Sequence, residues 1–228
     1  MLGRVVGGCA IWAASIGFAG TPVEETLTCP IGEETFAIVG TASCSILGRY
    51  MSFRPQTTCE FVTRLPVCPS NDFPMYQPFS PDQITALTVF VETDEYQEIR
   101  QLSLWLRAYA IAQHMGQSGD PVTFSLMLNA LWFTTEDVIS NDAQMDVFMA
   151  EAEQEMARAV GPDRGFLAAI IGFALLSADR EAQAAPYLET AASHREASEY
   201  LDAYLTAIDA CRADMSAPNC AMSAPFNP

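Results

Sequence analysis

The chain has no lysine among its 228 residues; all eleven of its basic side chains are arginine. That absence excludes Schiff-base chemistry, a P-loop lysine and a lysine general base. Positive charge is scarce altogether, since 28 Asp and Glu leave a formal net charge of −17. So acidic a surface repels phosphate backbones, which argues against nucleic acid as a partner. Only two histidines occur, His114 and His194. The first falls in the last turn of a helix, where a cation suits the dipole, and the second follows a cap; both read as surface residues. Metalloprotease, nucleophile-elbow and dinucleotide-binding motifs are missing. Beyond the start, long apolar runs are missing too. The sharpest, Phe166–Leu176, has a length that suits a buried helix rather than a membrane span.

The first twenty residues, "MLGRVVGGCAIWAASIGFAG", carry one charge, Arg4, then an apolar run and small residues. Gly17 and Ala19 fit the −3 and −1 positions of a cleavage site, so residues 1–20 read as a secretory signal peptide. The competing readings are an uncleaved anchor and a lipoprotein box at Cys9. Cleavage removes Arg4 and Cys9, leaving 10 Arg against 28 acids, a net of −18, and no membrane span. The expected localisation is periplasmic or secreted.

Six cysteines then remain, at 29, 44, 59, 68, 211 and 220. An even count behind an export signal indicates disulfides, with fifteen possible pairings.

The chain changes texture at residue 80. Residues 21–79 hold four cysteines, much Thr and Pro, and β-like runs "TFAIVG", "YMSF" and "EFVTRL" between turns. From Ser80 the helix starts are legible. Ser80-Pro81-Asp82-Gln83 makes a capping box with proline at the first helical position. Thr93 caps a helix whose apolar face runs Tyr96, Ile99, Leu102, Leu106 and Tyr109, ending at Gly116. Asp120-Pro121 and Ser140 or Asn141 begin the next two, and Gly161-Pro162-Asp163 separates the fourth from the fifth. Asp179 caps a sixth, and Ser193 with Glu196 opens the last, to about Arg212. The predicted fold is mostly α: a small Cys-rich β/loop module (21–79), antiparallel helical hairpins (80–213) and a tail (214–228). "AAPYLETAA" carries the small-x-x-Tyr-Leu-x-x-Ala pattern of a tetratricopeptide (TPR) helix, and a similar stretch begins at Ala152, 32 residues earlier. The hairpins are therefore read as TPR-like, against a plain bundle.

Within the first module, "CPIGEETF" and "LPVCPSNDF" each begin like a zinc knuckle. Each lacks its second cysteine, with Gly32 and Asn71 in its place. A zinc ribbon needs two ligands from each knuckle. Exported thiols held close together oxidise, so Cys29–Cys68 is the expected disulfide at a former metal position. Cys44–Cys59 then follows by elimination, and Cys211–Cys220 pins the tail to the last helix. The alternative is one zinc site of Cys29, Cys44, Cys59 and Cys68, although those spacings fit no usual ligand pattern.

At this point the chain resembles an uncharacterised bacterial family catalogued as domain of unknown function 2225. The matching pieces stand in order over residues 29–116: "CPIGEETF", "GRYMSFRP", "LPVCPSNDF", "PFSPDQITALTVFVETDEYQEIR" and "LWLRAYAIAQHMG". The resemblance implies degenerate zinc-ribbon knuckles followed by a helical, TPR-like tail. It carries a ligand role to Cys29 and Cys68 at most, because the first knuckle lacks its second cysteine and Asp72 replaces the second knuckle's glycine. It implies no activity.

Three functions are compatible with these residues. The leading one is an exported, non-catalytic interaction or scaffold protein binding a protein or peptide partner, with no cofactor and no catalytic residues. A zinc-binding protein and a thiol-redox enzyme are the alternatives; the redox reading lacks a C-x-x-C pair. Arg49, Arg54 and Arg64 cluster near the knuckles, as internal ion pairs or a small anion site. Trp105 and Trp132 are read as core residues or as the lining of a peptide groove. The carboxylates of "EAEQEM" are read as a solvated helix face.

Overall fold

A computed structural model describes residues 20–226. The signal-peptide reading, with Cys9, lies outside them apart from Gly20. Strands β1 (Thr21–Thr28) and β2 (Thr35–Ser43) form an antiparallel hairpin pairing Thr28 with Thr35 and Thr21 with Ser43. Strand β3 (Ile46–Tyr50) lies between β4 (Pro55–Thr57) and β5 (Pro225–Phe226), all antiparallel. Nine α-helices follow β4 among the described residues: α1 (Pro81–Phe90), α2 (Asp94–Ile99), α3 (Leu104–His114), α4 (Pro121–Phe133), α5 (Thr135–Ile139), α6 (Asp142–Arg158), α7 (Gly161–Ser177), α8 (Glu181–Ala192) and α9 (Glu199–Cys211). The protein is mostly α, with small N-terminal sheets and helical hairpins after them. No helix among the described residues is long and apolar enough to cross a membrane.

Several helix starts are set by local chemistry. The Ser80 hydroxyl accepts the Gln83 N–H at 3.3 Å, and the Gln83 side chain accepts the Ser80 N–H at 2.9 Å. Thr93 accepts from Tyr96 N–H, and Asn141 from Gln144 N–H. Three expected boundaries move. Asp179 ends α7 instead of capping α8: it takes φ 57°, its N–H donates to Leu176 O, and Arg180 N–H reaches back to Leu175 O. That is a Schellman closure with aspartate where glycine is usual. Ser193 closes α8, and Ser198, not Ser193, caps α9 by accepting Leu201 N–H. The helix expected from Thr93 to Gly116 breaks between Arg100 and Ser103. Tyr96 of α2 and Ile111 of α3 both pack in the core beside the knuckles, while Leu106 of α3 faces the helical core. Of the expected strands, "TFAIVG" lies in β2, while "EFVTRL" is turn and bend.

The larger core lies among α4, α6, α7 and α9. Small residues let helices approach: a Cβ on Gly172 would lie 2.6 Å from Leu188 Cδ2. Ala152 and Ala184, the two small positions of the repeat pattern, are fully buried. This core also takes in Met51 and Phe53 from the N-terminal module and Met222, Ala224 and Phe226 from the tail. Met51 N–H donates to Ala224 O at 2.8 Å, Ser52 N–H to Met222 O at 3.0 Å, and the Tyr204 hydroxyl to Met51 O at 2.6 Å. Desolvation of this buried phenol pushes its pKa up, so it stays a donor. The tail is thus a covering layer, held also by the Cys211–Cys220 disulfide.

Candidate functional site

The two knuckle turns close alike. Cys29 N–H donates to Glu34 O at 2.8 Å, and Cys68 N–H to Phe73 O at 2.9 Å. In each turn the residue four past the cysteine takes positive φ, Glu33 at 56° and Asp72 at 58°. Glycine usually supplies that conformation without strain. Neither turn has glycine at that position, although in the first Gly32 just before it also takes positive φ, 98°. A disulfide joins Cys29 to Cys68, with Cα atoms 5.4 Å apart. The Asn71 amide donates across to Ile31 O at 3.2 Å. Glu34 reaches the other way and accepts from the Ser70 N–H and hydroxyl at 2.9 and 2.7 Å.

A second disulfide joins Cys44 to Cys59, and these lie at the opposite end of the β1–β2 hairpin. Seven strand steps of about 3.3 Å separate the two ends by roughly 23 Å. One zinc site using all four cysteines is therefore ruled out by distance. Among the described residues, the nearest approach to a metal-ligand set is Cys29, Glu34 and Cys68, whose candidate ligand atoms lie within 4.8 Å of one another. The two sulfurs are bonded to each other and offer no thiolate, so this oxidised set does not fit zinc.

The knuckles are keyed to the helices by arginine. Arg107 on α3 donates to Asp72 O at 2.9 Å, Arg100 O at 2.9 Å and Leu102 O at 3.2 Å. It thereby ties the second knuckle to the carbonyls freed by the break between α2 and α3. Arg100 pairs with the Asp72 carboxylate. The Tyr96 hydroxyl donates to Asn71 O at 2.9 Å, and burial pushes its pKa up to about 12.

Two of the clustered arginines form ion pairs: Arg54 and Arg64 meet Glu60 at 3.0 and 3.1 Å. Burial works against the Glu60 charge, but the Thr57 hydroxyl and both guanidiniums outweigh it and hold its pKa below 4.5. Arg49 has no ion pair among the described residues. Its Nη1 donates to Phe53 O at 2.9 Å, and the guanidinium lies 4.4 Å from the Phe53 ring centre. Phe53 takes φ 65°, a costly conformation for a bulky residue that surrounding packing must enforce. Its ring contacts Phe166 and Tyr204 at 5.3 and 4.9 Å. Above this floor opens a groove of about 640 Å3, lined by Ile46, Leu47 and Arg49 of β3, Asp163 and Phe166 of α7, and Tyr200 of α9. Ile46 and Leu47 stand at its rim, 66% and 62% exposed. Strained backbone, exposed apolar side chains and an arginine without an acidic partner make this groove the candidate binding site.

Trp105 and Trp132 do not line it. Trp132 donates its indole N–H to Ser52 O at 2.9 Å, and Trp105 stacks on Phe133. Glu151, taken from sequence as solvated, is buried, and accepts from Tyr109, Gln113 and Thr123 at 3.0, 3.1 and 2.6 Å. Those donors lie 28 to 42 residues away in sequence, so nothing near Glu151 announces them.

No family model, curated protein or solved structure matches this chain.

Proposed function

We propose that this is an exported, non-catalytic protein that binds a protein or peptide partner, its N-terminal region locked by disulfides where a metal-binding ancestor held zinc. Three disulfides are consistent with an oxidising, exported environment. The observation that carries the reading is the open groove with exposed Ile46 and Leu47 at its rim. Kinship with the uncharacterised family catalogued as domain of unknown function 2225 is part of the proposal, supported by the ordered run of matching sequence pieces over residues 29–116. Cross-linking of the protein in its own compartment, then mass spectrometry, tests the function. A specific partner recovered in repeated experiments is expected; recovery of none under several conditions sinks the reading.

A second reading, zinc binding, is favoured by one observation, the convergence of Cys29, Glu34 and Cys68. It requires the disulfide to be reduced first. A metal content of zero together with no free thiols in native protein excludes it.

A further inference from the structure

We propose that the groove between β3 and α7 takes an extended polypeptide segment carrying a large apolar side chain flanked by a carboxylate on one side and a cation on the other. The inference rests on the interaction reading above and names what the partner must present.

The apolar requirement comes from the walls. Ile46, Leu47, Phe53, Phe166 and Tyr200 all line the groove, and its volume exceeds that of any one side chain. The openness of the rim points to a macromolecular segment, because a small ligand needs most of its surface enclosed.

The carboxylate requirement comes from Arg49. Seven arginines pair with an acid among the described residues: 54, 64, 100, 158, 180, 195 and 212. Arg107 and Arg164 are turned to backbone carbonyls. Arg49 lines an open groove in a chain with 28 acids, and one N–H is engaged by Phe53 O. Its remaining donors suit a planar carboxylate. The cation requirement comes from Asp163, exposed in the first turn of α7, with no ion pair among the described residues. Asp163 and the strongly acidic surface reject a segment that is acidic on both sides.

A random dodecapeptide library displayed on phage, panned against the full oxidised protein, provides the test. The Ile46→Ser/Leu47→Ser double variant serves as counter-target, since both side chains are exposed and their loss leaves the core intact. Selected peptides are synthesised and titrated by fluorescence anisotropy. Enrichment of an aromatic or leucine between an acid and a base is expected, with affinity falling at least about tenfold on the double variant. Arg49→Gln should weaken the same peptides about fivefold or more, and Arg49→Glu should shift the preference to peptides in which a base replaces the acid. Enriched peptides without the charge pattern, or bound equally by the double variant, overturn the proposal. So does concentration-dependent dimerisation that the double variant abolishes, which assigns the groove to a second copy of the chain. A cross-linked partner retained by the double variant leaves the interaction reading standing while this proposal fails.

Discussion

The β1–β2 hairpin and the α7–α8 pair make an instructive contrast. Most hairpin side chains are exposed or half-exposed, and a two-stranded ribbon is barely stable by itself. It is held at its two ends by covalent bonds, Cys29–Cys68 at one and Cys44–Cys59 at the other. The α7–α8 pair needs no staple of its own. Ten residues of α7 are buried, and Gly172 and Ala184 let the two helices close together. One region gains order by restricting its unfolded chain, the other by excluding water. A hairpin with so few buried side chains depends on the first route, and the paired turns at Cys29 and Cys68 supply one end of it.

The largest expected effect breaks the first half of that contrast. The Cys29–Cys68 bond spans 39 residues, so the Cys29→Ser/Cys68→Ser variant should lose about 4 kcal/mol by loop entropy. Hydrogen exchange should show the loss concentrated in residues 20–79, with the α7–α8 amides still protected. Equal loss in both regions contradicts the comparison.

Arg107→Met comes next, at about 3 kcal/mol in denaturant unfolding, because it strips donors from three carbonyls at the seam between knuckle and helix. Arg107→Lys should recover only part of that loss, since an ammonium does not reproduce the guanidinium fork.

Gly172→Ala sharpens the other half. Helix propensity gains about 1 kcal/mol, while a Cβ 2.6 and 2.8 Å from the Leu188 side chain loses about 1–3 kcal/mol by overpacking. A net fall in Tm is expected; a rise means that α7 and α8 are not tightly apposed.

Glu60 gives the smallest effect. Its folded pKa lies below the ordinary 4.5, so its contribution is present above that value and lost as pH falls through the folded pKa. The carboxylate and its partners are partly exposed and screened, which limits the effect to less than about 1 kcal/mol. Acid titration of Tm should show a drop below roughly pH 4.5 that Glu60→Gln lacks.

What the sequence disclosed follows the range of the interactions. Caps at Ser80, Thr93 and Asn141 use donors three residues away, so a short window contains the whole device. Asp179 and Ser193 carry cap-type side chains, but neighbouring turns assign them other jobs. Helix α3 serves two cores, through Leu106 and Ile111, and an apolar periodicity records only that a face is buried, not against what. Glu151 is invisible for the same reason. Arg49 stood out by its scarcity among so many acids, whereas the groove around it joins residues 46–53 to 163–166 and 200, a juxtaposition only the fold creates.

The sharpest test is peptide mapping of the native, unreduced protein by mass spectrometry after alkylation. The account predicts linked peptides for Cys29–Cys68, Cys44–Cys59 and Cys211–Cys220, with no alkylated cysteine among these six. Four alkylated thiols at residues 29, 44, 59 and 68, or zinc accompanying them, would contradict it.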